Sequence, residues 1–235
     1  MSENSLVKYE ISGGEAFGQV KIFLERPGQQ IISNAGSMIY MTGNIQYTTK
    51  STGGLLKGLK RTFAHESMFQ DYFELPPGQS SGSITFAPPV PGSVIHLHVS
   101  QNEGWTLSDG AYLASTPSVQ ISTRKGGFKQ MFVGEGYFLV DLTSQAEGDV
   151  WLGAYGFIER HDLQPGEELI VDRSTMLAFQ TNMENTFTKI GSTRTLILGG
   201  EGFAIKYRGP GIVYTQNRAI HGLAALLKPF FPVGT

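Results

Sequence analysis

The 235-residue chain has no cysteine, which excludes disulfides, thiolate metal sites and a cysteine nucleophile. Charge is scarce: 16% of the residues are Asp, Glu, Lys or Arg, against about 25% in an average soluble protein. The net charge of −2 excludes a strongly basic nucleic-acid binder judged by total charge, and no nucleic-acid partner is expected. Long hydrophobic runs are missing too. The longest stretch without a charged residue, Leu75 to Asn102, holds Pro76, Pro77, Pro88, Pro89 and Pro91. Proline at that density cannot form a spanning helix of ~20 residues. Residues Met1 to Lys8 are polar and lack the apolar core of a secretory signal. A soluble, cytoplasmic protein is the expectation.

Glycine, by contrast, is abundant, with 30 residues, and short alternating apolar runs dominate. Val20, Ile22 and Leu24 share one strand face; Ile95, Leu97 and Val99 share another, with His96 and His98 opposite. Turn residues such as Pro27-Gly28, Pro77-Gly78, Pro91-Gly92 and Pro165-Gly166 punctuate these runs. Period-two spacing broken by Gly and Pro predicts an all-β sandwich, barrel or roll.

Three markers recur in the same order. A turn into an apolar strand appears at Pro27–Ile32, Glu103–Leu107 and Pro165–Ile170. A tight turn into a strand follows at Ala35–Tyr40, Asp109–Ala114 and Arg173–Ala178. A glutamate before an aromatic strand closes each set, at Glu66, Glu135 and Glu201. Those glutamates lie 69 and 66 residues apart, and Gly36, Gly110 and Ser174 lie 74 and 64 apart. The chain is therefore read as one compact domain, 1–235, of three tandem sandwich or roll repeats: 19–92, 93–156 and 157–216. A short helix and tail, 217–235, complete it. A unit of ~60 residues buries only ~60% of its unfolded surface and leaves open sheet edges. Stacking three units covers the inner edges, and a ring of identical chains would cover the outer ones. A homotrimer is the preferred number.

Several stretches together resemble the family of altered inheritance of mitochondria protein 24. They are Ala35-Gly36-Ser37-Met38-Ile39-Tyr40-Met41-Thr42-Gly43-Asn44, Gly58-Leu59-Lys60-Arg61 before Glu66-Ser67, Ala111-Tyr112-Leu113-Ala114, Gly134-Glu135-Gly136, and Gly209-Pro210-Gly211 before Gln216-Asn217-Arg218. The resemblance spans nearly the whole chain. It implies a fold like the tryptophan RNA-binding attenuation protein, tripled in one chain and assembled as a homotrimer. It implies no catalytic residues.

Few residues suggest chemistry. Glu66, Glu135 and Glu201 read as carboxylates that cap turns once per unit, the alternative being a cation-binding ring. His96 and His98 are spaced to chelate, but no third ligand is near in sequence and zinc needs three, so no metal is expected. Their side of the strand reads as an outward polar face. The chain has neither a Gly-x-Ser-x-Gly elbow nor a Walker loop, and no cofactor is expected. Basic connectors lie between the second and third markers: Lys50, Lys57, Lys60 and Arg61; then Arg124, Lys125 and Lys129; then Lys189 and Arg194. They are solvated hairpin tips or an anion-binding collar for lipid headgroups. Asn217 reads as the N-cap of a helix carrying Ile220, Leu223, Ala224 and Leu227, which docks on the chain's own sheet or on a neighbouring subunit. The resulting expectation is a non-catalytic oligomeric binding or scaffold protein of unknown small-molecule ligand. A membrane-surface organiser and an enzyme with a site between repeats are the alternatives.

Overall fold

The structure is a computed structural model that describes residues 5–51, 69–108, 110–123, 139–189 and 203–231. Turns cut these residues into short strands. β1 (Tyr9–Ser12) leads into β2 (Gln19–Leu24), β3 (Gln30–Asn34), β4 (Met38–Thr42), β5 (Gln46–Ser51), β6 (Phe69–Glu74) and β7 (Gly82–Phe86). Six more follow: β8 (Val94–Val99), β9 (Trp105–Ser108), β10 (Tyr112–Ser115), β11 (Val119–Thr123), β12 (Leu139–Ser144) and β13 (Gly148–Gly153). The last six are β14 (Ile158–Leu163), β15 (Glu168–Asp172), β16 (Met176–Gln180), β17 (Glu184–Lys189), β18 (Phe203–Arg208) and β19 (Gly211–Gln216). Helix α1 (Ile220–Leu227) comes after them. The fold is all-β with one short helix.

Antiparallel pairing organises the strands. β7 pairs with β2 and β4, and β6 pairs with β3 and β5. The same partnerships occur as β13 with β8 and β10, and β12 with β9 and β11. They occur again as β19 with β14 and β16, and β18 with β15 and β17. Two additional pairs, β3 with β10 and β9 with β16, join triplets into six-stranded sheets. The four sheets are β1-β2-β7-β4, β5-β6-β3-β10-β13-β8, β11-β12-β9-β16-β19-β14 and β15-β18-β17.

Three apolar cores lie between successive sheets. The first joins Ile22 and Ile84 of the four-stranded sheet to Phe73, Leu113 and Trp151 of the next. The second sets Leu97 and Leu152 against Trp105, Leu142 and Leu177. The third sets Phe179 and Val213 against Ile205 and Tyr207. Each six-stranded sheet thus has core on both faces, so β10 and β13 are buried at every position. Burial of apolar surface at about 25 cal/mol per Å² is the main force holding the stack.

The starts of β2, β8 and β14 meet through backbone. Gly92 bridges in parallel to Phe17 and to Gly156. The Gly18 N–H donates to Gly92 O at 2.7 Å, and the Ser93 N–H to Gly156 O at 2.9 Å. A Cβ on Gly92 would fall 2.0 Å from the Ala154 carbonyl oxygen, so only glycine fits that approach.

Two local expectations change. Asn217 does not cap α1: the N-cap is Ala219, without a side-chain bond, and Asn217 Oδ1 instead accepts the Phe157 N–H at 3.0 Å. Nor does the chain's own sheet cover α1, since none of its residues is buried. Among the described residues it packs on the following 3-10 turn, Lys228–Phe230, where Pro229 ends the α-helix.

Candidate functional site

A polar cluster forms where β8 lies against β13. Their register puts His98 opposite Asp149 and His96 opposite Trp151. Asp149 is fully buried. Its Oδ1 accepts from His96 Nε2 at 2.8 Å. Its Oδ2 accepts the Leu6 N–H at 2.8 Å, the Val7 N–H at 3.2 Å and the Ser5 hydroxyl at 3.2 Å. His98 bonds through Nε2 to Glu147, while its buried Nδ1 stands 4.0 Å from Asp149 Oδ1, beyond hydrogen-bond reach. Tyr9 stacks on His96 with centroids 4.8 Å apart and meets Trp151 edge-on at 5.5 Å.

This arrangement corrects the outward-face reading of His96. Tyr9 of β1 covers the imidazole, and the His96 side chain is 7% exposed. A buried carboxylate needs charge-assisted donors, and Asp149 has them from one histidine and three consecutive residues of the leading segment. The cluster is chemically a clasp, because the carboxylate ties His96 of β8 to the segment that precedes β1. Among the described residues no three histidines or acids gather as a metal site.

The other sequence candidates fall mostly elsewhere. Glu66, Glu135 and Glu201 lie outside the described residues, as do Lys57, Lys60, Arg61, Arg124, Lys125, Lys129 and Arg194. Lys50 is described: it is exposed on β5, with Nζ 4.4 Å above the Tyr72 ring, a cation–π contact. Asp149 escaped the sequence reading. Its one local cue is an acid set at the head of the apolar run Val150-Trp151-Leu152.

A second candidate is the surface of α1 and its tail. Ile220, Leu226, Leu227, Phe230 and Phe231 are all exposed, Phe230 at 79%. From Asn217 to Thr235 the sequence has Arg218 and Lys228 and no acid.

Residues 9–218 match the model of a family described as mitochondrial biogenesis AIM24. The chain belongs to the AIM24 family. An uncharacterised protein of Streptococcus pyogenes serotype M6 is 28% identical over 242 residues, covering 97% of this chain and 93% of its own. A crystal structure of a Streptococcus pyogenes protein superposes with a TM-score of 0.75 at 25% identity, covering 96% of this chain and 100% of that one. The AIM24 match ends at Arg218, so α1 lies beyond it. No helix among the described residues is long and apolar enough to cross a membrane.

Proposed function

We propose that this AIM24-family chain is a non-catalytic binding or scaffold protein that assembles with copies of itself, three being the expected number. The observation that carries the reading is the uncovered arm formed by α1 and its tail. An eight-residue helix is marginal in water by itself, because nucleation is costly and few turns offset it. None of its residues is buried on the sheets. The five exposed large apolar side chains of the arm therefore gain their stabilisation from another surface. The saturated Asp149 clasp supports a binding role over catalysis, since its carboxylate oxygens already serve the fold.

The charge of the arm favours a second reading, a membrane-surface organiser. Basic residues beside exposed phenylalanines suit the interface of an anionic bilayer, and Lys50 opens the first basic connector. Native mass spectrometry together with co-sedimentation on phosphatidylglycerol and phosphatidylcholine vesicles separates the two. The scaffold reading expects a homo-oligomer and equal, slight pelleting with both lipids. Pelleting confined to phosphatidylglycerol establishes the second reading. A monomer at high micromolar concentration that ignores both lipids overturns both.

A further inference from the structure

The first core has a cover that the second lacks. Gly82, Gly148 and Gly211 open β7, β13 and β19, facing Leu24, Val99 and Leu163 at the ends of β2, β8 and β14. Counting from those pairs sets Ile22 of β2 level with Leu97 of β8. It also sets His96 and His98 of β8 level with Arg160 and Asp162 of β14, and Trp151 level with Tyr214.

β1 lies beside β2 and over β8. Tyr9 faces Ile22 in the register and packs its ring on His96 and Trp151. The corresponding place in the second core is beside β8 and over β14, with Leu97, Arg160 and Tyr214 standing for Ile22, His96 and Trp151. Among the described residues no strand occupies it, and β8 ends its sheet. Exposure follows the difference. The His96 and His98 side chains are 7% and 24% exposed, whereas those of Arg160 and Asp162 are 53% and 55% exposed. Trp105 fills only the inner end of this place: its indole N–H donates to the His98 carbonyl at 2.9 Å, and its ring lies 5.6 Å from Tyr214. The stretch Val94–Leu97 remains, which matches the four residues Gln19–Ile22 that pair with β1.

We infer that the outer edge of β8, with Arg160 below it, is a docking site for an extended peptide of a partner protein, which adds antiparallel to β8 as β1 adds to β2. The inference deepens the binding role proposed above by giving it a site and a ligand class.

Arg160 sets the side chain that the site selects. Its Nε and Nη2 donate to the Asp162 carboxylate at 2.9 and 2.6 Å, so its guanidinium edge is engaged and its flat face is left for a ligand. A flat cation takes an aromatic ring. The residue two positions further along a strand shares the same face. In β1 the two are Tyr9 and Ile11. The ligand is therefore an extended segment of aromatic-x-aliphatic pattern. Main-chain bonds to β8 supply affinity, and the aromatic residue over Arg160 supplies selectivity.

The chain's own Ser5–Ser12 supplies the probe, as a fluorescein-labelled peptide and as one with photoreactive benzoylphenylalanine in place of Tyr9. Titration of the full chain into the labelled peptide should give a saturable rise in anisotropy. Tyr9→Ala in the peptide, and Arg160→Ala in the protein, should each weaken binding at least ~threefold, the latter with the thermal unfolding of the protein unchanged. Photo-cross-links should map to Arg160, Asp162 or Tyr214. Cross-links at His96 or Trp151 would mean that the peptide has displaced β1, and overturn the site. Cross-links elsewhere, an absence of saturable binding, or an Arg160→Ala protein that binds like the parent also overturn it. Binding that appears only on diluting the protein out of its own association range would show that a second copy holds the edge, and would overturn a partner peptide. Native mass spectrometry judges the scaffold reading separately, so each of these failures leaves it standing.

Discussion

The Leu6 N–H donates to the Asp149 carboxylate at 2.8 Å across 143 residues of sequence, tying the leading segment to β13. His96 holds the other oxygen at 2.8 Å. Asp149→Ala would leave the Ser5 hydroxyl and the Leu6 and Val7 N–H groups without this acceptor around an empty buried place. Leaving buried donors without their acceptor costs about 1–3 kcal/mol each. The expected result is a fall in Tm of roughly 6–15 °C, together with faster amide exchange at Leu6 and Val7. Asp149→Asn, which keeps an acceptor for one N–H, should lose less. An unchanged Tm in Asp149→Ala would remove the clasp from the account.

Tyr207 presents the opposite case. Its hydroxyl is buried in the third core with no hydrogen-bond partner among the described residues. Such a group costs about 1–3 kcal/mol to bury unsatisfied. Tyr207→Phe keeps the ring, which lies 5.0 Å from Phe179 centroid to centroid, and deletes only the hydroxyl. It should raise the stability read from urea unfolding by about 1 kcal/mol. A loss of stability would show that the hydroxyl has a partner.

Burial also pushes the pKa of Tyr207 and of Tyr112 well above the ordinary tyrosine range; a hydrogen bond with Ser115 at 2.9 Å opposes this only in part for Tyr112. The unfolded chain ionises these groups near pH 10, while the folded chain keeps its protons. Their contribution is whole below that pH and declines above it, because the unfolded state then binds fewer protons. The slope is about 1.4 kcal/mol per pH unit for each tyrosine. Urea midpoints at about pH 9, 10 and 11 should fall along this line, and Tyr207→Phe should lessen the slope. A profile that stays flat across that range contradicts burial of both rings.

The all-β class was legible because burial follows alternation in strands with one covered face: Val20, Ile22 and Leu24 are all fully buried. Alternation fails where a sheet is covered twice or a bulge intervenes. Tyr112, Leu113 and Ala114 are buried in succession, so no period-two pattern marks them. The Asp149 clasp was illegible for a different reason. Its partners come from the leading segment and β8, and only long-range pairing brings them together. His96 looked outward for want of any local sign that Tyr9 covers it. The arm was legible as a helix from its 3.6-residue spacing, while its lack of cover on the chain's own sheets required the sheets to be placed.

Gly92 offers a sharp steric test. A methyl group there would meet Ala154 O at 2.0 Å and Gly156 N at 2.7 Å, both backbone atoms locked in the bridge between strand starts. Backbone cannot yield cheaply, so Gly92→Ala should cost more than about 3 kcal/mol and lower Tm by roughly 6 °C or more. Gly28 provides the control. It has a φ of 79°, and a methyl group added there would find nothing within 4 Å. Gly28→Ala therefore incurs only the left-handed penalty of about 1–2 kcal/mol. Equal losses in the two variants would refute close approach at Gly92.

The arm separates stability from binding. Leu226, Phe230 and Phe231 are 68%, 79% and 65% exposed, so replacing all three by Ser removes almost no buried surface from the chain. The isolated fold should keep its unfolding free energy within about 0.5 kcal/mol per substitution. What should change is whatever the arm docks on. If that is a protein surface in the assembly, the triple variant dissociates at higher concentration than the parent in a dilution series. If it is an anionic bilayer, the variant stays in the supernatant with phosphatidylglycerol vesicles while its oligomer is unaffected. A large drop in the urea midpoint of a monomeric variant would mean that the arm is packed on its own sheets after all.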